Sequence, residues 1–253
     1  VTNQIGDAVS AAQPTPSPSG GLLQREVIEQ LGKQIVTGRW PGGTVLRMDE
    51  LADQLDVSRS VIREAMSALS GNGLVQSRKH RGTVVQDPSL WNAFAPDVIA
   101  WRLDDPAQRD EQFRSLVELR TAVEPQAARL AAERIDSDRA AEMIRLAARM
   151  VESGSMGKVD EFVEADVVFH RLLLQSSGNP LFASLEQILN EILAGKYRLG
   201  LMPIIPDPQA SHRHLELATA IASGDAPTAV TACLEIVVQS AEELGNSSPQ
   251  SRG

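Results

Sequence analysis

Asp166, His170 and His214 have the types and spacing to hold a metal ion or to form a buried ion pair. Asp166 and His170 are four residues apart, so on a helix their side chains stand one above the other. Both fall on the side of a helix over 158–177 that also carries Val159, Phe162, Val163, Phe169, Leu173 and Leu174. His214 shares its helical face with Ala210, Leu217, Ala218 and Ile221. A carboxylate and imidazoles placed in apolar stripes must be satisfied, because burying them unpaired is costly. An Asp–His ion pair is one solution. A first-row divalent ion of the zinc, nickel or manganese class, bound by all three residues with positions left open, is the other. His212, on a side shared with Glu216 and Thr219, is expected to face solvent.

Arg120 and Glu124 form a second pair at helical spacing, within a face of Phe113, Leu116, Val117, Val123, Ala127 and Leu130. The pair reads equally as a salt bridge or as a site in which the planar guanidinium receives a carboxylate. A metal together with Arg120 would select a small acid bearing an adjacent hydroxyl. Arg198 and Tyr197, near a helix end, are further candidates for closing such a pocket. Open positions on a metal also suit hydrolysis, so a metal-dependent enzyme is a rival reading. It lacks a nearby carboxylate or histidine placed as a general base.

The elements that must position these side chains are helices. Segments at about 109–134, 137–152, 158–177, 180–200, 209–223 and 226–244 carry helical patterns separated by Gly, Pro, Asn and Asp signals, and β-branched alternation is almost absent. Residues 107–245 are therefore expected to form an all-helical bundle. Ahead of them, 89–106 reads as a linker helix whose Trp91, Phe94 and Trp101 pack two domains together.

The first third is organised differently. An amphipathic helix near Leu22 places Leu23, Val27, Ile28, Leu31 and Ile35 in one stripe and ends at Gly38. A short helix from Asp49 to Leu55 is joined through Asp56 and Val57 to a second helix with Ser58 as N-cap and Ile62, Ala65, Met66 and Leu69 as its apolar positions. This tight pairing presents the second helix to a DNA major groove, with Arg59, Ser60, Arg63 and Ser67 facing out. Two β-prone runs, Leu74 to Ser77 and Thr83 to Gln86, flank a basic tip of Arg78, Lys79, His80, Arg81 and Gly82 suited to phosphate or the minor groove. Residues 21–88 thus read as a winged helix-turn-helix, with Arg47, Ser58, Arg59, Ser60, Arg63, Lys79, His80, Arg81 and Gly82 as its DNA-contacting set.

Charge divides along the same boundary. Residues 21–90 hold nine Lys/Arg against eight Asp/Glu, whereas residues 91–253 hold fifteen against twenty-four and carry the formal net charge of −9 almost alone. Affinity for DNA must come from local clustering, and should fall with salt. The single cysteine, Cys233, cannot form an internal disulfide, and no long apolar run suggests a membrane span; a cytoplasmic protein without a membrane partner is the expectation. Residues 1–20 and 246–253 read as disordered tails.

In order and spacing, Pro41-Gly42, Leu51-Ala52, Val57-Ser58-Arg59, Val61-Ile62-Arg63-Glu64, Gly73-Leu74 and Arg81-Gly82-Thr83 resemble the DNA-binding domain of the GntR family of bacterial transcription regulators. Leu119-Arg120, Val123-Glu124-Pro125, Ala131-Ala132-Glu133-Arg134, Asp166 with His170, Asn179-Pro180-Leu181 and His214 with Gly224-Asp225 resemble the FadR subfamily and its all-helical effector domain of FCD type. The resemblance implies a mainly α protein with an N-terminal winged helix-turn-helix and an antiparallel helical bundle, forming a homodimer on palindromic double-stranded operator DNA. It implies an effector site of Arg120, Asp166, His170, His214 and Arg198, with a metal on Asp166, His170 and His214. Metal-binding members usually add a histidine where this chain has Ile236, so either a three-ligand metal or direct hydrogen bonding to the effector fits. The pattern is closest to sugar-acid, galactonate-type regulators, which implies an aldonic or related hydroxy acid as effector and a repressor released on binding it. An architectural DNA-binding protein whose helical half only dimerises is a further alternative. Asp49 departs from the family, which often has a basic or neutral residue there near phosphate.

Overall fold

The computed structural model describes residues 18–199 and 208–247, which fall into two compact units meeting between Trp91 and Asn92. In the first unit, α1 (Pro18–Val36) buries Val27, Leu31 and Ile35 against α3 (Arg59–Gly71), which answers with Ile62, Ala65, Met66 and Leu69. The helix begins at Pro18 rather than after a tail ending at 20; the remaining tail residues 1–17 lie outside the described residues. Between the two helices come β1 (Val45–Leu46) and α2 (Met48–Leu55). Asp56 closes α2 in the left-handed conformation, and the Ser58 side chain accepts from the Val61 amide at 3.4 Å to start α3.

Two further strands, β2 (Val75–Arg78) and β3 (Gly82–Val85), form an antiparallel hairpin in register Val75 to Val85 and Arg78 to Gly82. β1 adds to the free edge of β3, giving the order β1-β3-β2. This two-residue strand was not expected from the sequence, since so short a run has no periodicity to read. Gly73 ends the α3 connection at φ +76, and a Cβ there would stand 2.4 Å from the Leu90 carbonyl oxygen. Only glycine allows both that backbone turn and that close approach.

The segment expected as one linker helix is instead a 3-10 turn at Pro88–Leu90 followed by α4 (Pro96–Asp104). Proline explains the break: Ala95 is held extended by Pro96, which then supplies the first turn of α4. Trp91 belongs to the first unit, where its indole donates to the Gln86 carbonyl at 3.2 Å. Trp101 is buried in the second unit, and Phe94 is exposed.

The second unit is helical among the described residues. It continues with α5 (Arg109–Arg134), α6 (Ser137–Ser155), α7 (Val159–Ser176), α8 (Pro180–Ala183), α9 (Glu186–Arg198), α10 (Pro208–Ser223) and α11 (Ala226–Ser247). The helix expected over 180–200 is divided. Through Ser184 and Leu185 the ladder tightens to bonds of 3-10 type, Leu185 N to Phe182 O and Ile188 N to Leu185 O, while the Ser184 hydroxyl takes the Leu181 carbonyl at 2.7 Å. α11 runs to Ser247, beyond the expected tail boundary at 246, and the rest of that tail lies outside the described residues.

α5 packs against α4, α7, α9, α10 and α11, and so forms the spine of this unit. Its buried stripe runs Phe113, Leu116, Arg120, Glu124, Ala127 and Ala131. α7 presents Phe162, Ala165, Phe169, Leu173 and Leu174 to the same core, and α10 contributes Leu217, Ala218 and Ile221. Among the described residues, no helix is long and apolar enough to cross a membrane.

Candidate functional site

The structure brings Asp166 and His170 of α7 together with His214 of α10. His170 Nε2 and His214 Nε2 each lie 3.3 Å from Asp166 Oδ1, and the two nitrogens are 3.4 Å apart. All three residues are buried. Although both nitrogens face it, Asp166 Oδ1 receives no aligned hydrogen bond. The two Nε2 atoms stand instead in hydrogen-bonding geometry with each other.

That triangle fits a metal. Three donors 2.0–2.1 Å from a zinc ion and separated by tetrahedral angles stand roughly 3.3–3.4 Å from one another. A buried carboxylate oxygen without an aligned donor is also the atom a cation would satisfy. Phe169, fully buried, packs edge-on against both imidazoles, with ring centroids 5.7 Å from His170 and 5.3 Å from His214. The rings are thereby fixed in orientation before any ligand arrives. Ile236 lies in the core on α11 and offers no ligand atom, so among the described residues the donor set is three.

Arg120 and Glu124 join this cluster from α5. Arg120 Nε donates to Glu124 Oε1 at 2.6 Å and its Nη2 to Oε2 at 3.2 Å, while Nη1 reaches Ser240 Oγ of α11 at 3.4 Å. Nη2 also lies 3.5 Å from His170 Nε2. Of the two readings of the pair, the salt bridge is the arrangement present, and it sits against the Asp–His–His triangle rather than apart from it. His170 Nδ1 is 3.0 Å from Glu124 Oε2, although its N–H axis is oblique to that oxygen.

The electrostatics follow from this packing. Burial opposes ionisation of Asp166, but the two imidazoles beside it outweigh burial and hold its carboxyl far below the usual range. Burial likewise works against the His170 cation, yet Glu124 and Asp166 push it up to about 9. Glu124, wholly buried, is kept down at about 2 because Arg120 and His170 overcome the desolvation cost. On α11, burial and the Glu124 charge raise the Cys233 thiol well above its ordinary value, leaving it an inert core group.

Arg198 is not brought to the site. Its guanidinium, at the end of α9, pairs with Asp104 of α4 at 3.2 Å and remains partly exposed. Tyr197 bonds Asp160 at the surface. His212 is exposed, as expected. Phe169 and Ser240 are members that sequence reasoning missed: Phe169 reads as ordinary core, and nothing local marks Ser240 as facing a residue 120 positions away.

In the first unit the expected DNA-contacting residues surround the start of α3 and the hairpin tip. Ser58 caps α3 with its hydroxyl 2.7 Å from that of Ser60, and Arg59 and Arg63 are exposed on the first two turns. Arg59 Nε is held by Asp49 of α2 at 3.0 Å, and Arg47 pairs with Glu50 at 3.6 Å. Lys79, His80, Arg81 and Gly82 form the exposed tip, with His80 at φ 65 and Gly82 at φ 86 making the turn.

Residues 23–85 match the model of bacterial regulatory proteins of the gntR family, and residues 115–239 match that of the FCD domain. The galactonate operon transcriptional repressor of Escherichia coli (strain K12) is 30% identical over 86% of this chain and 95% of that protein. The chain belongs to the GntR family. It is also 29% identical to the HTH-type transcriptional repressor NanR of Salmonella newport (strain SL254), over 81% of this chain and 79% of that protein. The solved structure of Lar, which controls expression of the Listeria monocytogenes agr system, covers 89% of this chain at a TM-score of 0.59 and 16% identity, with 98% of that chain matched, a likeness of fold. This GntR-family chain is therefore a DNA-binding transcription regulator with an FCD domain, and the metal-dependent enzyme reading falls.

Proposed function

We propose that the protein is a homodimeric repressor, acting in the cytoplasm, that leaves a palindromic operator when a small hydroxy acid of the aldonic class binds the helical unit. The buried triangle of Asp166, His170 and His214 carries this reading, supported by similarity to a repressor named for a galactonate operon. The three residues would hold a divalent ion of the zinc, nickel or manganese class. Such an ion, when bound, supplies open positions for a carboxylate oxygen and its neighbouring hydroxyl.

The chain's own residues do the rest. Arg120, fastened by Glu124, supplies a fixed positive charge beside the triangle. In the reading head, residues 21–88, the N-terminal turns of α3 offer Arg59, Ser60 and Arg63 to base edges, Arg47 and Ser58 lie near phosphate, and Lys79, His80, Arg81 and Gly82 form the wing. One small head makes few contacts, and two-fold pairing through residues 107–245 matches two half-sites. The effector then acts by favouring a dimer arrangement whose heads no longer fit both half-sites together.

Thermal unfolding of metal-stripped and metal-reloaded protein against sugar acids and short hydroxy acids tests the reading. A ligand at 100 times its dissociation constant adds about 2.7 kcal/mol to stability. A shift with one acid, present only after metal reloading and paired with loss of operator binding, is the expected result. No shift with any acid in either state would leave a domain that only dimerises.

A further inference from the structure

The two nitrogens of His170 face different partners. Nε2 points into the donor triangle, 3.3 Å from Asp166 Oδ1 and 3.4 Å from His214 Nε2, whereas Nδ1 lies 3.0 Å from Glu124 Oε2 with its N–H axis oblique to that oxygen. Glu124 is wholly buried and cannot swing away, because both its oxygens are taken by Arg120, at 2.6 and 3.2 Å. Arg120 is in turn tethered across to Ser240 of α11.

A buried Arg–Glu pair needs a reason, since such pairs contribute little to stability beyond what apolar residues of similar volume would give. If Glu124 served only to neutralise Arg120, nothing would require it to lie against the imidazole edge opposite the triangle. A carboxylate on the far nitrogen of a metal-ligating histidine fixes the proton there, leaves the lone pair on the near nitrogen, and raises its basicity. We infer that Glu124 is a positioning residue for His170 as a metal ligand, and that Arg120 holds Glu124 in place. The inference rests on the metal reading of the site. It gives α5, which supplies no donor of its own, a defined part in metal retention.

The test is metal affinity of the full-length protein, measured with Co(II) by its visible absorption and with Zn(II) by competition against a chelator. Glu124→Gln keeps the shape and removes the charge; metal affinity is expected to fall about 10- to 100-fold, with a changed Co(II) spectrum. Glu124→Asp, which restores the charge, should recover part of the loss. Should the single variant fail to fold, Arg120→Gln with Glu124→Gln provides a neutral pair for the same measurements. Parent-like affinity and spectrum in a folded variant would overturn the role of Glu124 while leaving the metal site standing. A parent protein that takes up neither Co(II) nor Zn(II) would overturn the metal reading, and this inference with it.

Discussion

The two units handle charge in opposite ways. In the reading head the charged side chains that matter stand in water: Arg59 and Asp49 leave 77% and 66% of their side-chain surface exposed although they touch. In the helical unit Arg120 and Glu124 are 2% and 1% exposed, and the Asp–His–His triangle lies beside them. Exposed charges are screened, mobile and weakly coupled, so they suit contacts made and broken with a polyanion. Buried charges are expensive, held in one geometry and strongly coupled, so they suit discrimination of a small ligand. The difference lies in the layer that carries the charges. The head is a thin packing of three helices and a small sheet whose outer faces stay wet, whereas α5 is surrounded by other helices.

The contrast can be broken most directly at the buried site. Asp166→Ala or His214→Ala should abolish the metal-dependent response to effector while the protein still binds operator, seen as loss of the entire thermal shift of about 2.7 kcal/mol at 100-fold saturation. A variant that responds as the parent does would remove the residue from the pocket. Next in size, Arg63→Ala should weaken operator binding by about 1–3 kcal/mol with an unchanged melting temperature. Equal preference for operator over scrambled DNA in both proteins would sink the base-reading role. Smaller again, Lys79→Ala or Arg81→Ala should lower affinity for all sequences alike and reduce the salt slope of binding by about one for each phosphate no longer neutralised. A change confined to one base pair would instead make the tip a reader of sequence.

The smallest effect concerns Asp49, the acidic departure noted in the sequence. Because it holds Arg59 at 3.0 Å on an exposed face, Asp49→Asn should free that guanidinium and tighten DNA binding by a few-fold at most. Titration of labelled operator at two salt concentrations reads it. Weaker binding in this variant would mean that Asp49 aims Arg59 rather than restrains it.

Much of this was legible in the chain. Helical periodicity placed α5, α7 and α10 and the faces carrying Arg120, Asp166, His170 and His214, because on a helix four-residue spacing by itself brings side chains together. Ser58, Gly73 and the Arg81-Gly82-Thr83 tip marked the turns of the winged head, since capping and positive φ restrict which residues can stand there. What spacing could not decide was which helices meet. Arg198 read as a further candidate for closing the pocket, yet α9 delivers it to Asp104. The division of the helix after Ala183 also depended on a local contest for the Leu181 carbonyl that periodicity does not register.

By itself, then, the sequence determined the two kinds of unit, the winged head, and a carboxylate and imidazole on one face of α7, all consequences of residue type and short-range spacing. Only the tertiary structure decided that His214, 44 positions beyond His170, completes a triangle with donors 3.3–3.4 Å apart, and that Glu124 and Arg120 of α5 back it. The physical reason is that local geometry fixes what a helix presents. The packing of helices distant in sequence fixes what it is presented to.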